Sequence, residues 1–477
     1  MKTGRTAGIL FIALGFVLTL LLQRSFLVQS DEGYTLNAAW QMWNGMKMYD
    51  DFRLFVAPGA GYAVFLAWKL AGGPSFLAAR ALSLAFAFSS SVAVFLILTR
   101  RGVRAAVLAV SVAAWAIAGA QYVMLNHNTF SSYAAAWLLF LLVRAADREG
   151  GSGRRWLVDH ALIGVAAGAV FLFHQTKGPA VLLASIALVL SWARGARRVQ
   201  AAAAVVAGFA AVVAPLLLVW RPSVLVREWF IVPLSNDYLG HTGASRPLAV
   251  ACVLVVVGMV AVAMLLRDRT LMAVAAIQTA LLASIIHNVE SRHVAINSFP
   301  LIVFVPLALR QYAARTRPSA APPVSQGVLT TFGMALIVMF AFGIALPNGR
   351  PVFKESTLYV DFIRRVPRNI FPSPRVAAAR AIYAGPFMPG LYFALGKSNP
   401  FFVSETVVCD PACQQRLVAQ LADVKPEIAF LNYTMIRHLG YQDDNPVDAY
   451  FRDRYVLCGP TAYEGMIVRA VSPGWCP

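Results

Sequence analysis

Residues 8–40 read GILFIALGFVLTLLLQRSFLVQSDEGYTLNAAW. The run at 7–23 is apolar enough to enter a bilayer, where a crossing takes about 20 residues. Lys2 and Arg5 precede it, as in a signal peptide. No small-residue cleavage site follows, so the run reads as a retained anchor. Directly behind it stand two adjacent carboxylates, Asp31 and Glu32, and from Gly33 to Trp40 the apolar residues recur at helical spacing. The chain therefore crosses a membrane at its start and emerges on an acidic pair.

The composition extends this reading to the whole chain. Of 477 residues, 59% are hydrophobic and 13% charged, and the mean hydropathy is +0.64. Soluble domains carry about 25% charged residues. A set of soluble domains, a disordered chain, collagen and coiled coil are all excluded. Spans are expected at 7–23, 75–99, 105–120, 129–143, 157–173, 179–193, 199–220, 248–266, 270–286, 294–309 and 328–346. The stretch 58–72 is apolar but short and carries Lys69, so it reads as a re-entrant or interfacial helix. The expected fold is an α-helical polytopic membrane protein with about 11 transmembrane helices, that short helix and a C-terminal extracytoplasmic α/β domain. The boundaries are 1–346 for the membrane part and 347–477 for the outer domain.

The net charge of +19 would raise nucleic acid as a partner in a soluble protein. Here its distribution points to topology, and no nucleic acid is expected. Residues from Pro347 on hold 14 basic and 11 acidic side chains, leaving 27 and 11 before it. Seventeen of those 27 sit at the N-terminus, in Arg100-Arg101-Gly102-Val103-Arg104, and in 144–155, 194–198, 267–269 and 310–317. The positive-inside rule puts these loops in the cytoplasm. The N-terminus is then inside and the C-terminal domain outside. Six of the seven histidines, all but His160, fall on the outer side with the other chemistry-bearing segments.

In the outer domain, helices are expected at 355–366, 413–424 and 448–455, and strands at 381–385, 427–431 and 464–470, the alternation of a small α/β layer. Cys409, Cys413, Cys458 and Cys476 all lie here. In an oxidising compartment four cysteines read as two disulfides, with three pairings open. A metal reading of Cys409-x3-Cys413 lacks a second pair at the same spacing.

The candidate chemical residues are all expected on the outer face. Asp31 and Glu32 can handle a proton or a charge at the membrane border, or simply be solvated. Tyr34 opens the helix after them, and Tyr49-Asp50-Asp51-Phe52 precedes the apolar helix that Pro58 opens. Asn126-His127-Asn128-Thr129 begins another span, where Asn and Thr are ordinary caps. His174 and Lys177 share a tight turn; Lys177 can snorkel to headgroups or bind a phosphate. Glu290 and His293 share a helix face at i and i+3, with Arg292 between them as an interfacial ion-pair partner or a phosphate ligand. Neither GxxxxGK[ST] nor GxGxxG after a strand is present, so a soluble nucleotide donor is not expected.

These elements together resemble the polytopic GT-C glycosyltransferases that use polyprenyl-phosphate sugars, related to protein O-mannosyltransferases and aminoarabinose transferases. The resemblance rests on Asp31-Glu32-Gly33-Tyr34, Tyr49-x-Asp51-Phe52 before Pro58, Asn126-x-Asn128-Thr129, the Lys177 turn and Glu290-x-x-His293. In the outer domain, Pro386-Phe387-Met388-Pro389-Gly390-Leu391-Tyr392-Phe393 and Gly396-Lys397-Ser398-Asn399-Pro400 are similar to bacterial members. Two positions depart from the pattern. His127 and Asn128 stand where many relatives have another acid, and Ala57 stands where many have His or Asn.

The resemblance implies a bacterial plasma-membrane enzyme that inverts the donor sugar in one displacement. Asp31 would be the general base, and Glu32 would assist it or orient the acceptor. Lys177 and Arg292, with His293 and His174, would bind the lipid phosphate at the mouth of one groove. Tyr34, Asp51, Asn126, His127, Asn128 and Glu290 would support the substrates. The partners would be a polyprenyl-phosphate-linked sugar donor, a glycan, lipid or protein acceptor, and the lipid bilayer. No cofactor is assigned; a divalent cation stays open. Rival readings are a lipid-linked substrate transporter or flippase, which needs polar residues near the midplane, an envelope polysaccharide polymerase or ligase of another fold, and a structural envelope subunit.

Overall fold

A computed structural model gives the architecture. It describes residues 31–103, 125–148, 153–232, 246–286, 291–315, 374–404, 409–433, 444–460 and 467–476, with isolated positions (13, 17, 108, 111, 115, 289 and 406) besides. The expected spans at 7–23, 105–120 and 328–346 and the helix at 355–366 lie outside the described residues.

The helices in chain order are α1 (Asp31–Trp43), α2 (Gly59–Ala71), α3 (Phe76–Arg100), α4 (His127–Asp147), α5 (Arg154–Phe173), α6 (Lys177–Trp192), α7 (Arg197–Val219), α8 (Pro222–Val226), α9 (Arg246–Leu265), α10 (Arg269–Ala283), α11 (Ser291–Asn297) and α12 (Phe299–Arg315). Their starts are written locally. Ser75 in an extended conformation caps α3 by accepting from the Ala78 N–H, Asn126 caps α4 through Asn128 N, and Asp268 caps α10 through Leu271 N. Such caps satisfy donors that have no partner inside the helix. Among the described residues, α3, α4, α5, α7 and α9 are long and apolar enough to cross a bilayer, and α6 and α10 are shorter apolar helices. The 25 residues of α3 span about 38 Å, more than a bilayer's hydrocarbon core.

The short apolar stretch after Pro58 is a helix of 13 residues, α2, too short to cross. The span expected at 294–309 is instead two helices, α11 and α12, broken at Ser298. Pro300 has no N–H to offer the Ile296 carbonyl, so the helical ladder stops there.

The core runs through α3, α4, α5, α6, α10 and α12. α5 and α7 approach closely because of two glycines. A Cβ on Gly164 would lie 1.9 Å from the Val205 carbonyl oxygen, and one on Gly208 would lie 2.0 Å from that of Ala161. Small residues at such crossings let membrane helices pack backbone to backbone. At one end of the bundle, basic side chains cross-link the helices. Arg100 and Arg101 reach Asp147, Arg144 and Arg148 bracket Asp159 at 2.6 and 2.9 Å, and Gln311 donates to Asp268 at 2.6 Å.

Residues 374–476 build a second core. Its helices are α13 (Pro374–Ala378), α14 (Gly390–Ala394), α15 (Pro411–Val424) and α16 (Pro446–Arg454). Its strands are β1 (Ile382–Gly385), β2 (Ile428–Leu431), β3 (Val456–Pro460) and β4 (Ile467–Ala470), in the order β1-β2-β4-β3. β1 and β2 are parallel; the other pairs are antiparallel. β3 was not expected. Its Cys458-Gly459-Pro460 ending breaks the apolar alternation, which an edge strand tolerates because one row of N–H groups is unpaired. Cys409 pairs with Cys413 and Cys458 with Cys476. The first pairing consumes both thiols that a Cys409-x3-Cys413 metal site would need.

This unit sits on α1. Asn37 donates to Ser404 at 2.6 Å, Gln41 to the Phe401 carbonyl at 3.2 Å and the Trp40 indole to the Lys397 carbonyl at 2.8 Å. Phe393 stacks on Trp68 of α2 with centroids 5.1 Å apart.

Candidate active site

The acidic pair opens α1. Asp31 is its first residue, where a negative charge is favoured by the helix dipole; its side chain lies outside the described residues. Glu32 is fully buried. Its Oε2 accepts from Arg80 Nη2 at 2.7 Å, and neither side chain is exposed at all. Its Oε1 lies 3.4 Å from the Leu125 N–H. One carboxylate thus ties α1, α3 and the turn that starts α4. Arg80, which the sequence reading did not single out, sits in α3 near its start and belongs to this site. An arginine within an apolar 25-residue helix is costly unless paired, and that cost was the available signal.

Beside the Leu125 turn lies a polar cluster. Lys177, the first residue of α6, is fully buried. Its ammonium donates to the Asn128 carbonyl at 3.2 Å, Ser131 Oγ at 3.0 Å and Ser132 Oγ at 3.4 Å. The snorkelling reading of Lys177 is therefore wrong: the side chain turns into the bundle against α4, where three acceptors replace its hydration. The Asn128 Nδ2 lies 3.1 Å from His127 Nε2 and 3.5 Å from His293 Nε2. The His127 and His174 rings are 5.3 Å apart, and His174 Nδ1 lies 3.1 Å from Thr176 Oγ1. Asn126 caps α4 and is buried, as its ordinary reading required.

Behind these, Asn297 donates to the His293 carbonyl at 2.7 Å and accepts from Ser132 at 3.2 Å, while Gln278 donates to the Asn297 carbonyl at 3.0 Å. Ser131, Ser132, Asn297 and Gln278 were not anticipated. Adjacent hydroxyls inside an apolar helix were the signal for the first two. The buried Asn128 Oδ1 has no hydrogen-bond partner among the described residues. Buried acceptors are nearly always satisfied, so this one is free to meet a donor from a ligand.

Other expected residues stand apart. The Tyr34 hydroxyl accepts from the Phe55 N–H at 3.1 Å and so braces the loop 47–57. Asp51 is exposed and accepts from the Lys47 N–H at 2.7 Å, closing the turn of that loop. Gln175 joins this loop to the His174–Lys177 turn: it accepts from Ala57 N at 3.0 Å and donates to the Phe55 and Trp229 carbonyls. Arg292 belongs to α11 next to His293, but its side chain, like Glu290, lies outside the described residues. Among the described residues no group of three or more His, Cys, Asp or Glu is placed to hold a metal ion.

No protein-family model matches the chain, and no curated protein matches it by sequence. Solved structures do. ArnT from Cupriavidus metallidurans in the apo state superposes with a TM-score of 0.60 at 15% identity, over 100% of this chain and 99% of that one. ArnT bound to undecaprenyl phosphate gives 0.58 at 16% identity, over 100% of both chains. The arabinofuranosyltransferase AftD from Mycobacteria gives 0.55 at 12% identity, over 98% of this chain but 40% of that larger one. These likenesses, end to end with ArnT, establish that the chain has the fold of the GT-C glycosyltransferases.

Proposed function

We propose that this is a multi-pass membrane glycosyltransferase that transfers a sugar from a polyprenyl-phosphate donor to an acceptor on the extracytoplasmic face of a bacterial plasma membrane. One observation carries the reading. The helix that starts at Asp31 is tied through Glu32 to the same turn that presents His127 and Asn128, above the buried ammonium of Lys177. The start of the Asp31 helix and the Lys177 ammonium lie at one end of the bundle, the end opposite the Arg100–Asp147 cross-links, which supports an acceptor base beside a phosphate site there. The fold likeness to an ArnT structure holding undecaprenyl phosphate supports the donor class.

In this reading the Asp31 carboxylate takes the acceptor hydroxyl proton. The oxygen attacks the anomeric carbon from the side opposite the phosphate. The bond from that carbon to the phosphate oxygen breaks, the polyprenyl phosphate leaves as an anion, and the anomeric centre inverts. Lys177, Arg292, His293 and His174 stabilise the charge that grows on the leaving phosphate, the electrostatic role that usually contributes most. Glu32, committed to Arg80, acts as the tether of the Asp31 helix rather than as a second base. The basic end faces the cytoplasm, residues 1–346 form the membrane catalytic part, and 347–477 form the outer domain. The test is transfer of radiolabelled sugar in membranes containing the protein, across a panel of polyprenyl-phosphate sugars. Transfer from at least one, lost in Asp31→Asn, is expected. No transfer from any donor, with the protein inserted and folded, refutes the reading.

A further inference from the structure

A second basin lies away from the polar cluster, where three parts of the chain meet: the loop 47–57, the segment 222–232 and the unit at 374–476. Its volume is about 140 Å³. Its polar lining is held before any ligand arrives. Arg53 donates from Nε to Glu228 at 2.9 Å, and its own N–H donates to the Phe402 carbonyl at 2.6 Å. The Arg416 guanidinium lies over the Phe402 ring, 4.1 Å from its centre. Asp51 is fixed by the Lys47 N–H. The loop itself turns through Tyr49 at φ 68°, a left-handed conformation that a bulky residue rarely adopts. It is locked there by Tyr49 N to the Phe52 carbonyl at 2.8 Å and by the Trp229 indole on the Tyr49 hydroxyl at 2.7 Å. Strained backbone held in place by its surroundings clusters at functional sites.

The charge pattern identifies the class of ligand. Arg53, Arg227 and Arg416 face Asp50, Asp51 and Glu228, three guanidiniums against three carboxylates. The basin has no net charge to select an anion or a cation. What it offers is a dense mix of bidentate donors and bidentate acceptors beside an aromatic ring, the arrangement that fits vicinal hydroxyls. The Nη2 of Arg53 is shielded from water and has no hydrogen-bond partner among the described residues, so a donor remains unspent. Gln175 connects the back of this loop to the turn carrying His174 and Lys177.

We propose that the basin is a carbohydrate subsite that takes one neutral sugar ring of the acceptor. This rests on the glycosyltransferase reading for the word acceptor, but its binding chemistry can be tested alone. The experiment is saturation-transfer NMR on the full chain in detergent, with methyl glycosides of glucose, galactose, mannose and arabinose as probes, and inorganic phosphate as competitor. Arg416→Ala and Asp51→Ala both change exposed side chains, and a thermal midpoint checks that each still folds.

Saturation of at least one glycoside is expected, weakened about tenfold or more in each variant, the effect of losing one charged hydrogen bond, and unaffected by phosphate. No glycoside binding, binding unchanged in both variants, or displacement by phosphate overturns the proposal. Sugar transfer measured in parallel separates the two readings. Transfer without glycoside binding here sinks the subsite alone. Glycoside binding that both variants lose, without transfer from any donor, leaves the subsite standing and sinks the transferase reading.

Discussion

Replacing Arg80 by Met tests the tether that holds the acidic pair. Both partners of the Glu32–Arg80 pair are fully buried and 2.7 Å apart. Met fills most of the volume but removes the guanidinium that faces the Glu32 carboxylate at 2.7 Å. Removing one partner of a buried pair costs about 3–5 kcal/mol, whereas replacing both by apolar groups of similar size is often near neutral. Arg80→Met and Glu32→Leu should therefore each destabilise by that amount. The double variant should recover most of it, a coupling of about 5 kcal/mol or more. The assay is a double-mutant cycle on reversible unfolding in mixed micelles, with sugar transfer measured on the same four proteins. Transfer should stay low in the stable double variant, because α1 has lost its link to α3 and the α4 turn. Additive destabilisation, with coupling within about 0.5 kcal/mol, would refute the buried pair. Full transfer by the double variant would refute the tether.

Asp31→Asn keeps the size of the side chain and removes its basicity, so transfer should fall about 10²–10⁴-fold while insertion and folding are kept; near-normal transfer removes Asp31 from the mechanism. Mass spectrometry of unreduced peptides should find Cys409 linked to Cys413 and Cys458 to Cys476; any other pairing contradicts the structure. Glu427 sets an acid limit for the 374–476 unit. Burial opposes its ionisation, but the Ala381 N–H and Arg380 outweigh burial and hold its carboxyl below the usual value. A lowered folded pKa gives stability that is present above the unfolded pKa and lost as pH falls through the folded one. Melting of the wild-type should therefore drop below about pH 4.3, and Glu427→Gln should flatten that drop; an unchanged profile excludes this carboxylate as a cause.

Hydropathy and charge spacing alone placed α3, α4, α5, α6, α7, α9 and α10, the short helix after Pro58, and most of the sheet. These features are local: a run of apolar residues, a cap such as Ser75 or Asp268, a proline at the start of a helix. Their energetics are settled within a few residues, so the sequence carries them openly. The segments that the fold draws together, at Glu32, at Asn126-His127-Asn128, at Lys177 and at His293, stand near helix ends, which the sequence marks for the same reason. What could not be read was the partner of each polar group. Glu32 meets Arg80 across 48 residues, Lys177 turns inward to Ser131 rather than outward to headgroups, and Asn37 closes on Ser404 across 367 residues. A buried charge or amide must find a partner, but its own neighbours in sequence do not say which. That choice falls to whichever groups the packed helices bring within about 3 Å, and only the tertiary structure decides it.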